Sequence, residues 1–87
     1  MAVYVDDAKT PYGRMLMSHM IADTDAELAA AATRLGLPTL WLQPSIDGRA
    51  AHFYVCQSKR GLAIELGAIP ISQRELARRL RRGGDRG

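Results

Sequence analysis

Cysteine is almost missing from this chain: Cys56 is the only one among 87 residues. A single thiol forms no internal disulfide, so the fold must hold without covalent staples. A reducing, cytoplasmic setting is therefore expected, with Cys56 packed as a small hydrophobe. Aromatic residues are few, at 6%, with one Trp, one Phe and three Tyr. Long apolar runs are absent, since Ser18 and His19 interrupt the longest, and no stretch approaches a membrane span. The start, Met1-Ala2-Val3-Tyr4-Val5-Asp6-Asp7, has neither a basic opening nor a long apolar segment, which argues against a secretory signal. Metal-ligand spacings such as HxxxH, HExxH and CxxC are missing as well. No cofactor can be named on these grounds, and no membrane partner is expected.

What remains is ordinary for one small globular domain: 47% hydrophobic and 24% charged residues. Charge is unevenly placed. Residues 1–71 carry six Lys/Arg and seven Asp/Glu, a net of −1, while residues 72–87 carry six Arg against Glu75 and Asp85, a net of +4. The overall +3 therefore describes an appendage to a nearly neutral body. Residues 1–71 read as an α/β body and residues 72–87 as an Arg-rich terminal helix with a frayed tail. A body this small has little interior and short strands with exposed edges, so a homodimer is expected.

Local patterns give the element order. Residues 2–5 are β-branched and aromatic, a first strand. Residues 9–13, with Pro11 and Gly13, read as a loop. Residues 15–22 are a second apolar run. Thr24-Asp25-Ala26-Glu27 fits a capping box, and Leu28, Ala31, Ala32 and Leu35 follow at helical spacing until Gly36 and Pro38 stop it. Residues 40–43 make a short strand, residues 44–51 a loop around Asp47-Gly48, and residues 52–56 another strand. Ser58 caps a second helix running to Leu66, residues 69–71 form a final strand, and Ser72-Gln73-Arg74-Glu75 opens a last helix with Leu76 and Leu80 on its apolar side. The expected architecture is α/β: about five short strands in one mixed sheet with two to three packed helices.

Several residues carry chemistry on this reading. Asp6 and Asp7 close the first strand, where α/β folds often place carboxylates that bind metal or act as bases. Their structural alternative is one turn cap and one solvated acid. His19 lies among Met, Leu and Ile. It is either a core histidine bonded to backbone or a partner of Asp23 and His52 in a site. Lys59 and Arg60 follow the expected cap Ser58 and so sit in a helix's first turn, where positive charge opposes the macrodipole. A bound anion would reverse that penalty, and Arg14 would add a further cation. The alternative is that both point to water or pair with Asp6, Asp7 or Asp23. Trp41 is a stacking surface or a core residue, and Gln43 a base-reading amide or an edge residue. Arg74, Arg78, Arg79, Arg81 and Arg82 spread around the last helix. They suit nucleic-acid phosphate or an acidic protein surface, or are simply solvated.

Taken in order, Val3-Tyr4-Val5-Asp6-Asp7, then Arg14 ahead of His19 and Asp23, then Trp41-x-Gln43, His52-Phe53, Ser58-Lys59-Arg60 and Gly67-Ala68 resemble the bacterial and phage family catalogued as domain of unknown function 4031. The resemblance runs over residues 1–71. It implies a small α/β domain and no particular activity. This chain departs from the family pattern at Tyr54, where an acidic residue should follow His52-Phe53, and the Arg-rich end lies outside the resemblance.

The leading expectation is a binding domain for a small phosphorylated or nucleotide-like ligand. Lys59, Arg60 and the helix start at Ser58 would hold the phosphate, Arg14, His19 and His52 would add contacts, and Trp41 would stack. An alternative is a metal-assisted phosphoester hydrolase using Asp6, Asp7, Asp23 and His52. A third is a nucleic-acid-associated protein acting through its Arg-rich end. The first two require Asp6, Arg14, His19, Asp23, His52 and Lys59 to converge on one cleft.

Overall fold

The computed structural model describes residues 2–45 and 50–85, with side chains through Arg81. Its elements in order are β1 (Val3–Val5), β2 (Thr10–Tyr12), β3 (Met15–Ala22), α1 (Asp25–Leu35), a 3-10 turn (Thr39–Trp41), β4 (Leu42–Gln43), β5 (His52–Cys56), α2 (Gln57–Glu65), β6 (Ile69–Pro70) and α3 (Gln73–Asp85). The expected α/β class holds, with six strands in one mixed sheet and three α-helices. The expected loop around Asp47-Gly48 lies partly outside the described residues.

The sheet order is β4-β5-β3-β1-β6, with β2 paired to β3 beside this path. β1–β3, β2–β3, β3–β5 and β4–β5 are antiparallel, and only β1–β6 is parallel. β3 is the hub because its eight residues pair with three strands. The segment read as a loop at residues 9–13 holds a strand instead. Tyr12 pairs with Met15, so Gly13 and Arg14 form a two-residue hairpin turn, and Gly13 takes the positive φ of 60° that such turns need. Pro11 is tolerated because β2 is exposed at the margin of the sheet.

Pleating divides the strands into two faces. Val5, Met20, Phe53 and Val55 meet Leu28, Ala32 and Leu35 of α1, Ala63 of α2 and Ala68 in the main core. α1 forms as its caps dictate. Thr24 Oγ1 accepts from the Glu27 N–H at 3.1 Å and donates to Glu27 Oε1 at 2.9 Å. At the other end Gly36 adopts φ 68°. Its N–H bonds the Thr33 carbonyl, and the Leu37 N–H reaches Ala32 O at 2.9 Å. This is the left-handed closure that favours glycine. Two cavities, of about 270 and 460 Å³, flank α1 on this face. Neither is lined by His19 or His52.

The second face carries α3. Ser72 caps it, accepting from the Glu75 N–H at 3.1 Å, and Asp7 Oδ1 accepts from the Gln73 N–H at 3.1 Å, placing a carboxylate at the helix's positive end. Leu76 is 3% exposed, the Arg79 guanidinium lies 4.2 Å from the Tyr4 ring centroid, and the Leu80 carbonyl accepts from the Ala50 N–H at 2.9 Å. The last helix is thus docked along the sheet. It continues through Gly83 and Gly84 to Asp85, farther than the frayed end expected after Arg82. Among the described residues no helix is long and apolar enough to cross a membrane.

Candidate functional site

The strand registers set the site. Odd-numbered residues of β3 and even-numbered residues of β5 share the α3 side of the sheet, because His19 pairs with Tyr54 and Met17 with Cys56. Gln43 on β4 faces His52 across the next pair. His19, His52 and Tyr54 therefore form a triangle. Ring centroids are 5.2 Å apart for His19–Tyr54, 6.0 Å for His19–His52 and 6.1 Å for His52–Tyr54. Tyr12, on the β2–β3 hairpin, closes the group at 6.5 Å from Tyr54.

Behind this triangle lies Asp6, 1% exposed. Its Oδ1 accepts from the His19 N–H at 2.8 Å and the Ala8 N–H at 3.2 Å, and its Oδ2 meets His19 Nδ1 at 2.8 Å. Burial pushes the carboxyl's pKa up, but the hydrogen bonds from the His19 ring, from the His19 and Ala8 N–H groups, and the imidazole's charge outweigh it. The net shift is below the ordinary aspartate value. An ionised Asp6 only accepts, so Nδ1 of His19 carries the proton and donates. Whenever the ring is neutral its lone pair is therefore on Nε2, the nitrogen not bonded to Asp6. His52 is oriented separately, its Nδ1 3.3 Å from the Ala50 carbonyl. Arg60 Nε donates to the Asp6 carbonyl at 2.7 Å, so α2 anchors the end of β1 just where the carboxylate is needed.

Cys56 ends β5 on this same face and is the N-cap of α2. Its Sγ lies 3.4 Å from Ser58 Oγ. Burial raises the thiol's pKa, yet the Ser58 hydroxyl and the N–H groups of Lys59, Ser58 and Cys56 together hold it below its usual value. α2 starts at Gln57 with Cys56 as its N-cap, two residues earlier than a Ser58 cap implies. Ser58 is thereby inside the helix and is not its cap.

Of the residues expected to converge, Asp6, His19 and His52 do, with Gln43 alongside. The others go elsewhere. Asp7 caps α3. Asp23 Oδ2 accepts from the Ala2 N–H at 2.9 Å, at the opposite end of β1 from Asp6. Arg14 is exposed on the hairpin turn. Trp41 is half-buried and packs against the main core, away from the histidines. Lys59 Nζ lies 3.9 Å from the point where a Cβ on Gly36 would stand, so its charge reaches the negative end of α1, where a cation is favourable. Arg60 is spent on a backbone carbonyl. The two cations thus leave the first turn of α2 for different partners. Among the described residues no group of three or more His, Cys, Asp or Glu side chains is placed to hold a metal ion.

Sequence reasoning missed Tyr54 and Tyr12 as members of the group. The alternation within 52–56 puts Tyr54 beside His52, but only the β3–β5 register brings it to His19, and only the unrecognised hairpin brings Tyr12.

A family model described as Protein of unknown function (DUF4031) matches residues 3–83. The chain belongs to this family. The match runs past Ile71 into α3, so most of the last helix lies within the family domain, contrary to the resemblance drawn from residues 1–71 alone. No curated protein and no solved structure matches the chain.

Proposed function

We propose that this chain binds a small anionic ligand, phosphate- or carboxylate-bearing with an aromatic or planar portion, on the His19–His52–Tyr54 face. The carrying observation is the buried Asp6 carboxylate, which holds the His19 ring in one orientation through 2.8 Å bonds to both its backbone and its Nδ1. The group's outward members are the phenols of Tyr54 and Tyr12 and the Gln43 amide, which donate, and two imidazoles whose second ring nitrogen donates only in the protonated form. Among the described residues the group's one carboxylate, Asp6, has its oxygens turned to His19 and Ala8. Donor-rich, acid-poor surfaces suit anions, and the rings of Tyr54 and Tyr12 offer a stacking wall. This keeps the expected ligand class but moves its site from the first turn of α2 to the sheet. A reducing, cytoplasmic setting goes with the reading, because Cys56 is a free thiol on the same face.

A second reading is acid–base chemistry on the bound ligand, favoured by the same Asp6–His19 pair: a fixed tautomer with Nε2 outward is what a general base requires. Titration of the isotopically labelled protein with inorganic phosphate and then adenosine monophosphate tests the binding. Imidazole resonances of His19 and His52 and the ring of Tyr54 should move together, and His19→Gln should remove the response. Shifts confined to the amides of residues 57–60 would return the ligand to the start of α2 and overturn the proposal. Hydrolysis of p-nitrophenyl phosphate that Asp6→Asn abolishes would establish the second reading.

A further inference from the structure

α3 has two sides of opposite character. At 100° per residue, Leu76 and Leu80 fall together on the side facing the sheet, with Arg79 at their margin over Tyr4. Arg74, Arg78 and Arg81, at i, i+4 and i+7, fall on the opposite side, and all three are exposed. Among the described residues Arg74 and Arg81 make no ion pair. Arg78 shares Glu75 with Arg79, whose Nε is 2.8 Å from Glu75 Oε2, so Glu75 keeps a partner if Arg78 turns outward. The Arg82 side chain, expected to join this surface, lies outside the described side chains.

We propose that the outer face of α3 binds the phosphate backbone of nucleic acid. The stripe is entirely arginine, whose planar fork matches phosphate oxygens with two parallel bonds, a geometry lysine lacks. The body of residues 1–71 is nearly neutral, so the attraction is local to this helix. A lipid surface is the poorer match. Membrane-bound basic helices insert an apolar side, and here that side is already docked, with Leu76 buried against the sheet. Aromatic side chains are absent from α3, so the contact reads backbone charge and not base identity. This surface is independent of the histidine face, and either proposal stands if the other fails.

Fluorescence anisotropy with labelled duplex DNA, duplex RNA and single strands of equal length provides the test. Three phosphate contacts give a log–log salt slope of about −2.7 on duplex DNA, or roughly 40-fold weaker binding between 50 and 200 mM salt. Arg74→Gln/Arg78→Gln/Arg81→Gln should lose most of the affinity and flatten the slope while retaining the wild-type melting transition. The triple Lys variant should keep the slope at reduced affinity, and Arg34→Gln, a change at an exposed arginine on α1, should leave binding unchanged. A preference among the three probes identifies which nucleic acid is bound. The proposal is overturned if the triple Gln variant binds as the wild type does, or if wild type binds no probe. It is also overturned if vesicles containing phosphatidylserine bind through these arginines and the duplexes do not.

Discussion

Replacing Asp6 by Asn alters a single atom's role in the site. The carboxamide keeps one oxygen, which still accepts from the N–H groups of His19 and Ala8. Its nitrogen takes the place of Oδ2 and donates toward His19 Nδ1, 2.8 Å away in the wild type. Two donors cannot face each other there, so the imidazole proton moves to Nε2 and Nδ1 becomes the acceptor. A charge-assisted bond is exchanged for a neutral one, a loss of about 1 kcal/mol. Asp6→Ala removes every acceptor and strands two buried N–H groups at about 1–3 kcal/mol each. A domain of this size has a total stability on the order of 4–13 kcal/mol. The Asn variant should therefore fold with a slightly lower urea midpoint, and the Ala variant should be severely destabilised. Imidazole nitrogen shifts in the Asn variant should report the Nε2–H tautomer.

The pH dependence has a definite sign. Asp6 titrates below its ordinary value in the folded protein, so its contribution is fully present above the unfolded pKa of about 3.9 and is lost as pH falls through the lower folded value. The stability gap between wild type and Asp6→Asn should shrink in that acid window. An Asn variant as unstable as the Ala variant, an unchanged tautomer, or a gap independent of pH down to strong acid would each refute the reasoning.

Leu76→Ala should cost about 2–5 kcal/mol and leave one cooperative urea transition, because α3 is docked through that side chain; a loss below 0.5 kcal/mol would make the helix an ornament on an independent body. Arg60→Ala should destabilise the ligand-free protein by about 1–3 kcal/mol by stripping the donor from the Asp6 carbonyl. Lys59→Ala should cost no more than about 1 kcal/mol, since only the helix-end interaction at Gly36 is lost, and equal effects of the two, compared by urea titration, would contradict their separate placements.

Much of the fold was legible because local signals agreed with one another. Thr24, the Leu28–Ala32–Leu35 spacing and Gly36 all name the same helix, and the structure bounds it there. β3 and β5 were readable from composition for the same reason. β2 was not. Pro11 and Gly13 speak for a loop over residues 9–13, but the turn is only Gly13 and Arg14, and Pro11 stands inside a strand whose Thr10 and Tyr12 pair with Met17 and Met15 across a local hairpin. The start of α2 shifted because Ser58 is the usual cap, whereas the helix here opens at Cys56 with no side-chain cap at all.

The site divides along the same line. Asp6, His19 and His52 were identifiable as polar residues in apolar strands, where burial demands a partner. What the sequence left open was which partner, since Asp6, Asp7 and Asp23 are equivalent by residue type. Strand direction decides it. β1 and β3 run antiparallel with Val5 opposite Met20, so the residue beyond Val5 reaches the residue before Met20, and Asp6 meets His19 while Asp23 is carried to the far end beside Ala2. Lys59 and Arg60 teach the converse. Their place at a helix start suggested unspent positive charge, yet a long cationic side chain reaches well beyond its own turn, and both charges are used by neighbours distant in sequence, Gly36 and Asp6. Arg74 and Arg81 differ from them in that respect. They stand on the side of α3 turned away from the sheet, and among the described residues neither has an ion-pair partner.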